Sequence, residues 1–248
     1  MSLVVLKLGG SVVTDKDEPE TVDEAGLAAA ADAVATLAES GRVVVVHGGG
    51  SFGHHHAAEH GVSSEVGSHD ARGVRAIHDA MKRLNDAVLD ALADRGVSAL
   101  PVHPLSAGAR EADGSLSLPL AATETMLDEG FVPVLHGDVI AHAGKGATIV
   151  SGDDLVVSLA SGLGADRVGL CSTVPGVLDA DGDVIPEITA FADAADALGG
   201  SESTDVTGGM AAKVRKLLAL GAPAHVFGPG GLSAFVAGES PGTVIRGE

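Results

Sequence analysis

Two apolar runs that each stop at glycines constrain this chain most. Leu3–Leu8 ends at Gly9-Gly10 and Arg42–His47 ends at Gly48-Gly49-Gly50, and the alanine-rich stretch Asp23–Glu39 between them has the spacing of a helix. Strand, glycine turn, helix and second strand make a βαβ unit, whose helix must cover the sheet because parallel strands cannot be joined by a tight hairpin. The alternation continues. Asp70–Arg95 sets Val74, Ile77, Met81, Leu84 and Val88 on one helical face, and Ser98–Val102 follows as a strand. Arg110–Leu118, with Asp113-Gly114 at its centre, predicts a hairpin, and Phe131–Leu135 and Val139–His142 predict strands on either side of His136-Gly137-Asp138. A helix over Asp153–Leu163, a strand over Arg167–Cys171, an Asp-Gly turn within Asp179–Val184 and a short helix over Phe191–Leu198 come next. A helix over Gly209–Leu220 and strands at Ala224–Phe227 and Thr243–Ile245 complete the reading. The expected fold is α/β, a three-layer αβα sandwich with a mainly parallel open central sheet, in one domain. Ligands of such sheets bind at the carboxyl ends of the strands.

Composition narrows the partners. With 248 residues and 45% hydrophobic content the chain can bury a large core, and a mean hydropathy of +0.30 is too apolar for disorder. No apolar run reaches membrane-spanning length and Met1–Leu8 lacks the basic region of a signal peptide, so a cytoplasmic location is expected. The formal charge of −19 repels nucleic acid and anionic membranes, and neither is expected as a partner. An acidic surface over an ordinary core suggests a salt-loving host. The single cysteine, Cys171, excludes an internal disulfide and a thiolate metal cluster. Of six lysines, Lys7, Lys16 and Lys213 lie in or beside glycine-rich turns, where cations meet anions.

The join Val43–His56, reading VVVVHGGGSFGHHH, admits three chemistries. Gly48-x-Gly50-x-x-Gly53 has the form of a dinucleotide fingerprint, but the polar segment after it offers no second strand ending in an acidic residue. Three adjacent histidines on a helix point about 100° apart and cannot converge on one ion, although His56 and His60 could. No protein-held metal is expected, and His55, His56 and His60 read as solvated. The third chemistry is a phosphate cradle, in which bare glycines expose N–H groups at the start of a helix near Ser51.

Five ordered motifs carry a family likeness: KLGGS (Lys7–Ser11), HGGGSFGH (His47–His54), HGD ending at Asp138, SGDD (Ser151–Asp154) and DVTGGMAAK (Asp205–Lys213). Together they span nearly the whole chain and resemble the amino acid kinase superfamily, and in order and spacing its isopentenyl phosphate kinases. The resemblance implies ATP-dependent phosphorylation of isopentenyl phosphate to isopentenyl diphosphate in isoprenoid biosynthesis. Its alternatives are a kinase of another small phosphate or phosphonate such as fosfomycin, or a nucleotide-binding regulator without turnover. It implies ATP and Mg²⁺, a homodimer, a phosphate-acceptor lobe over about 1–170 and a nucleotide lobe over about 171–248. By resemblance, Lys7 and Lys213 contact the ATP phosphates, helped by Gly9, Gly10, Ser11, Gly50, Thr173 and Gly209. Lys16 stabilises the transferring phosphoryl group, Asp138 orients the lysines by ion pairing, and Gly49, Gly53, His54 and Gly152 bind the acceptor phosphate. Ile77 and Met81 are expected against the five-carbon tail, while Asp153 and Asp154 read chiefly as helix caps and Asp205 as a turn or nucleotide residue. Ser172–Val177 departs from the family's aspartate-containing segment before the nucleotide lobe.

Overall fold

The structure, a computed structural model, describes residues 1–195 and 209–247. The chain begins β1 (Leu3–Leu8), α1 (Gly10–Val13), α2 (Glu24–Ser40), β2 (Arg42–His47), α3 (Gly50–Glu59), α4 (Ala71–Ala93), β3 (Ala99–Pro101) and α5 (Pro104–Ala107). It continues through β4 (Ala109–Arg110), β5 (Leu116–Ser117), α6 (Ala121–Asp128), β6 (Val132–His136), β7 (Asp138–His142), β8 (Gly146–Val150) and α7 (Gly152–Leu163). β9 (Arg167–Cys171), β10 (Glu187–Ile188), α8 (Gly209–Leu218), β11 (Ala224–Phe227), α9 (Leu232–Val236) and β12 (Thr243–Ile245) follow.

The main sheet has the order β10-β12-β11-β9-β1-β2-β6-β3 and is parallel except where β12 meets β11. β1 lies at its centre, with Lys7 opposite Val46 on one side and Leu170 on the other. Side chains alternate across the sheet, so β1 feeds both faces. Val4, Leu6 and Leu8 pack with Leu27 and Val34 of α2, Leu84 of α4 and Phe235 of α9. Leu3 and Val5 pack instead with Leu155 and Leu159 of α7 and Val214 of α8. These are the expected three layers. The helices start where short polar side chains can hold free N–H groups: Asp23 accepts from Gly26 N, and Asp70 accepts from the N–H groups of Arg72 and Gly73.

A second sheet, β5-β4-β7-β8, was not expected. The strand expected over Val139–His142 forms β7 within it and pairs antiparallel with β8. β8 escaped the pattern search because Ala147, Thr148 and Val150 are all buried, so it shows no polar alternation. α5 and α6 were also missed. Of the helix expected over Phe191–Leu198, Phe191–Ala194 is a 3₁₀ turn and 196–198 lie outside the described residues.

Leu6 is fully buried on the α2 and α4 face of the central strand. Leu6→Ala is expected to cost about 2–5 kcal/mol of unfolding free energy, read from a urea denaturation midpoint.

Candidate active site

The site forms where the turns after β1 and β2 meet. A Cβ on Gly10 would stand 2.2 Å from Gly50 N, and one on Gly48 would stand 2.5 Å from Gly10 N. Only bare backbone fits at both places. Gly50 also has a positive φ of 49°, which a glycine adopts without strain. The Thr14 hydroxyl clamps the junction by donating to Gly10 O at 3.0 Å and accepting from Ser51 N at 3.1 Å.

Below this junction is a cleft of about 270 Å³ with two unlike ends. Its polar end is marked by Lys7, Asp153 and Lys213, joined by ion pairs, and by Gly152 beside Lys7, where α7 begins. Ala57, Val62, Ile77 and Ile149 of the lining pack as an apolar cluster, and Met81 approaches Gly49 and Gly53. His54 lies on the lining, one residue beyond Gly53. The absence of a side chain at Gly53 brings α4 close, since a Cβ there would meet Met81 Sδ at 2.7 Å. The anionic and apolar demands of a phosphorylated hydrocarbon are thus met by different parts of one cavity lining.

Lys7 reaches the polar end because odd residues of β1 face the α7 layer. Its Nζ is 2.5 Å from Asp153 Oδ1, and Lys213 Nζ from α8 is 3.6 Å from Asp153 Oδ2. Burial alone would raise the Asp153 carboxyl, but the two ammonium charges outweigh it and hold it below the usual range. Asp154 does something else. It closes the capping box of α7 with Ser151, and its carboxylate also binds Arg110 at 2.7 Å and Lys216 at 2.5 Å.

Asp138 was expected to orient the lysines, and the structure assigns that contact to Asp153. Asp138 starts β7 in the second sheet and accepts from His78 Nδ1 of α4 at 2.8 Å and from its own Val139 N at 2.8 Å. Burial pushes its carboxyl up, partly offset by His78. Beneath the glycine turns a row of histidines runs inward from it. His103 Nδ1 is 2.9 Å from His136 Nε2, His136 Nδ1 donates to Gly137 O at 3.0 Å, and the His47 and His136 rings stack at 5.5 Å. His136 accepts at Nε2 in this arrangement, so His103 carries its proton on Nδ1. Burial lowers the pKa of both His47 and His136, the second strongly.

Of the expected site residues, Lys7, Gly10, Ser11, Gly49, Gly50, Gly53, His54, Ile77, Met81, Asp138, Gly152 and Lys213 line the cleft together. Gly9, Thr173 and Gly209 do not; Gly9 N instead donates to Cys171 O at 2.8 Å, and Thr173 is exposed. Lys16 is not brought there either, because it stands exposed in the polar loop between α1 and α2. Asp205 lies outside the described residues. His55 is exposed as expected, but His56 is partly buried and its Nε2 is 2.5 Å from Glu20 Oε1. Sequence reading missed the wall contributed by Val62, Ser63, Ser64 and Ile149, which the second sheet and the loop before α4 supply.

Residues 2–227 match the amino acid kinase family. The chain is 96% identical over all 248 residues of both sequences to the isopentenyl phosphate kinase of Haloferax volcanii. It is 34% identical to the isopentenyl phosphate kinase of Methanothermobacter thermautotrophicus, covering 99% of this chain and 100% of that one. Its fold is similar to a crystal structure of isopentenyl phosphate kinase, with a TM-score of 0.81 and 29% identity over 97% of this chain and 98% of that one.

The buried histidines make stability fall in acid. His47 and His136 are neutral in the fold because burial lowers their pKa, whereas the unfolded chain takes up protons near pH 6.5. Unfolding is therefore favoured as pH drops below about 6.5, by at most about 2 kcal/mol at pH 5 for each histidine that stays neutral. Asp153 acts lower, since its depressed carboxyl gives up its stabilising charge only below the ordinary carboxylate range near pH 4. His225, lowered by burial to about 4, adds to this slope, and the raised carboxyl of Asp138 opposes it. Denaturant midpoints measured from pH 7 to pH 5 should decline, and midpoints that rise would overturn the histidine account.

Proposed function

The chain belongs to the amino acid kinase family, and from that premise we propose that it transfers the γ-phosphoryl group of ATP to isopentenyl phosphate, giving isopentenyl diphosphate and ADP. The observation that carries this reading is one cleft whose lining joins two lysines paired on Asp153 with a cluster of apolar side chains. The near-identical Haloferax volcanii relative and the structural likeness support the same acceptor.

A phosphate monoester has a second pKa near 6, so its attacking oxygen is anionic at neutral pH and needs no general base. That fits a cleft whose two carboxylates, Asp138 and Asp153, are both engaged by cationic or hydrogen-bonding partners. The acceptor oxygen forms the new bond to the γ-phosphorus while the bond from that phosphorus to the β–γ bridging oxygen breaks, and the electron pair leaves with ADP. The difficulty is bringing two anions into line. Lys7 and Lys213 supply positive charge, and Asp153 holds both ammonium groups in place before substrate arrives. The glycine turns contribute N–H groups from a junction too tight to shift. With Asp138 and Asp153 so engaged, the described cleft fits Mg²⁺ as a companion of the nucleotide phosphates, held mainly by them, where it neutralises charge.

In this proposal the nucleotide lies against the part of the chain from about 171 onward, which brings Lys213 to the cleft on α8. His54 donates to the acceptor phosphate, and Ile77 and Met81 bound its tail. A homodimer, which rests on the family resemblance, and a cytoplasmic location complete the proposal.

ADP release measured over a panel of monophosphates tests the acceptor, with isopentenyl phosphate expected to have the highest kcat/KM. His54→Ala is expected to lower that value roughly 100-fold while ATP affinity is kept, and His55→Ala to stay near the parent. Equal losses in the two variants would remove His54 from the acceptor site. Trimming the tail wall should relax length selection: Ile77→Ala and Met81→Ala are expected to raise turnover of longer prenyl phosphates relative to the five-carbon acceptor, by competition assay.

A further inference from the structure

On the outer side of α3, away from the cleft lining, His56, Glu59 and His60 offer one donor atom each, all within 4.8 Å of one another. The spacing i, i+3, i+4 places them on one face of the last helical turn. We propose that these three side chains form a binding site for a divalent transition metal of the Zn²⁺ type, with Glu20 as the outer carboxylate that orients His56.

The two nitrogens of His56 face two different carboxylates. Nε2 is 2.5 Å from Glu20 Oε1, and Nδ1 is 3.5 Å from Glu59 Oε2. Donor atoms bound to one tetrahedral Zn²⁺ at about 2.0–2.1 Å stand roughly 3.4 Å apart, so the Nδ1 and Glu59 spacing already suits a shared ion. A metal-bound histidine usually gives its other ring N–H to a carboxylate, and Glu20 occupies that place. Glu20 is itself held by Arg83 Nη2 at 2.7 Å. His60 packs against the start of α4, where a Cβ on Gly73 would stand 2.9 Å from its Nδ1, so the bare glycine makes room for the ring. Two imidazoles and one carboxylate favour Zn²⁺, Ni²⁺ or Cu²⁺ over Mg²⁺, and leave a fourth position for water.

Metal on Nδ1 would fix the His56 tautomer that donates from Nε2, so binding would tighten the tie between α3 and the loop between α1 and α2 that carries Glu20. This departs from the expectation that His56 and His60 are merely solvated.

The test is isothermal titration of Zn²⁺ into the EDTA-treated full chain, with circular dichroism confirming that each variant folds without metal. One Zn²⁺ per chain is expected. Affinity should fall at least about tenfold in His56→Ala and His60→Ala and roughly 10- to 100-fold in Glu20→Gln. His55→Ala should bind like the parent, and millimolar Mg²⁺ should not compete. If His60→Ala does not fold, His60→Gln takes its place. Affinity unchanged in the double variant His56→Ala/His60→Ala, or lost equally in His55→Ala, overturns the proposal.

Discussion

The turns after β1 and β2 press together backbone to backbone, nearer than any side chain would permit, and the rest of the site is arranged around that contact. A methyl group at Gly10 or Gly48 would have to occupy the position of a neighbouring amide. Because both turns follow adjacent parallel strands in fixed register, the sheet itself sets the approach. The Thr14 hydroxyl then locks it from the side. α3 leaves this junction directly, which is why His54 and Gly53 stand over the cleft and why Met81 of α4 can come so near.

Charge is organised by a different rule, the parity of a strand. Lys7 follows Leu6 by one residue and so turns to the opposite face, where α7 begins. There Asp153 faces two ammonium groups, and its neighbour Asp154, one residue on around the helix, binds Arg110 and Lys216 instead. Adjacent acids at one helix start therefore divide between capping and holding the cationic end of the cleft. Removing Asp153 would leave two lysines in a partly buried cavity with mutual repulsion, so the same carboxylate that lowers the free charge of the cleft also keeps its donors in position.

Much of this was legible. The central βαβ unit, the long α4 and the glycine junction follow from buried runs, 3.6-residue spacing and bare turns, and the motif order gave the family. What was not legible has physical causes. The Arg110–Leu118 hairpin and the Val139–His142 strand were read, but β8, covered on both faces, leaves no period to detect, so their assembly into a second sheet was not legible. Asp153 was hidden because a capping residue and a lysine-holding residue are the same amino acid one position apart. Lys16 stands apart from the cleft lining because α1 separates it from the Lys7–Ser11 turn and the loop that follows is exposed. Asp138 was misassigned because β7 belongs to a sheet that sequence did not reveal, and its carboxylate turns toward α4.

The recessed lysines also bear on how substrates arrive. Lys7 and Lys213 are only 14% and 18% exposed in a chain whose formal charge is −19, so an approaching phosphate meets a repulsive field before it meets the two cations. In dilute buffer that field extends tens of ångströms, whereas at molar salt it decays within ~3 Å. Contacts inside the cleft are shielded from mobile ions and are weakened much less. Salt therefore lowers the barrier to encounter while leaving capture largely intact, the reverse of the usual dependence for an enzyme that gathers anions through an open basic surface.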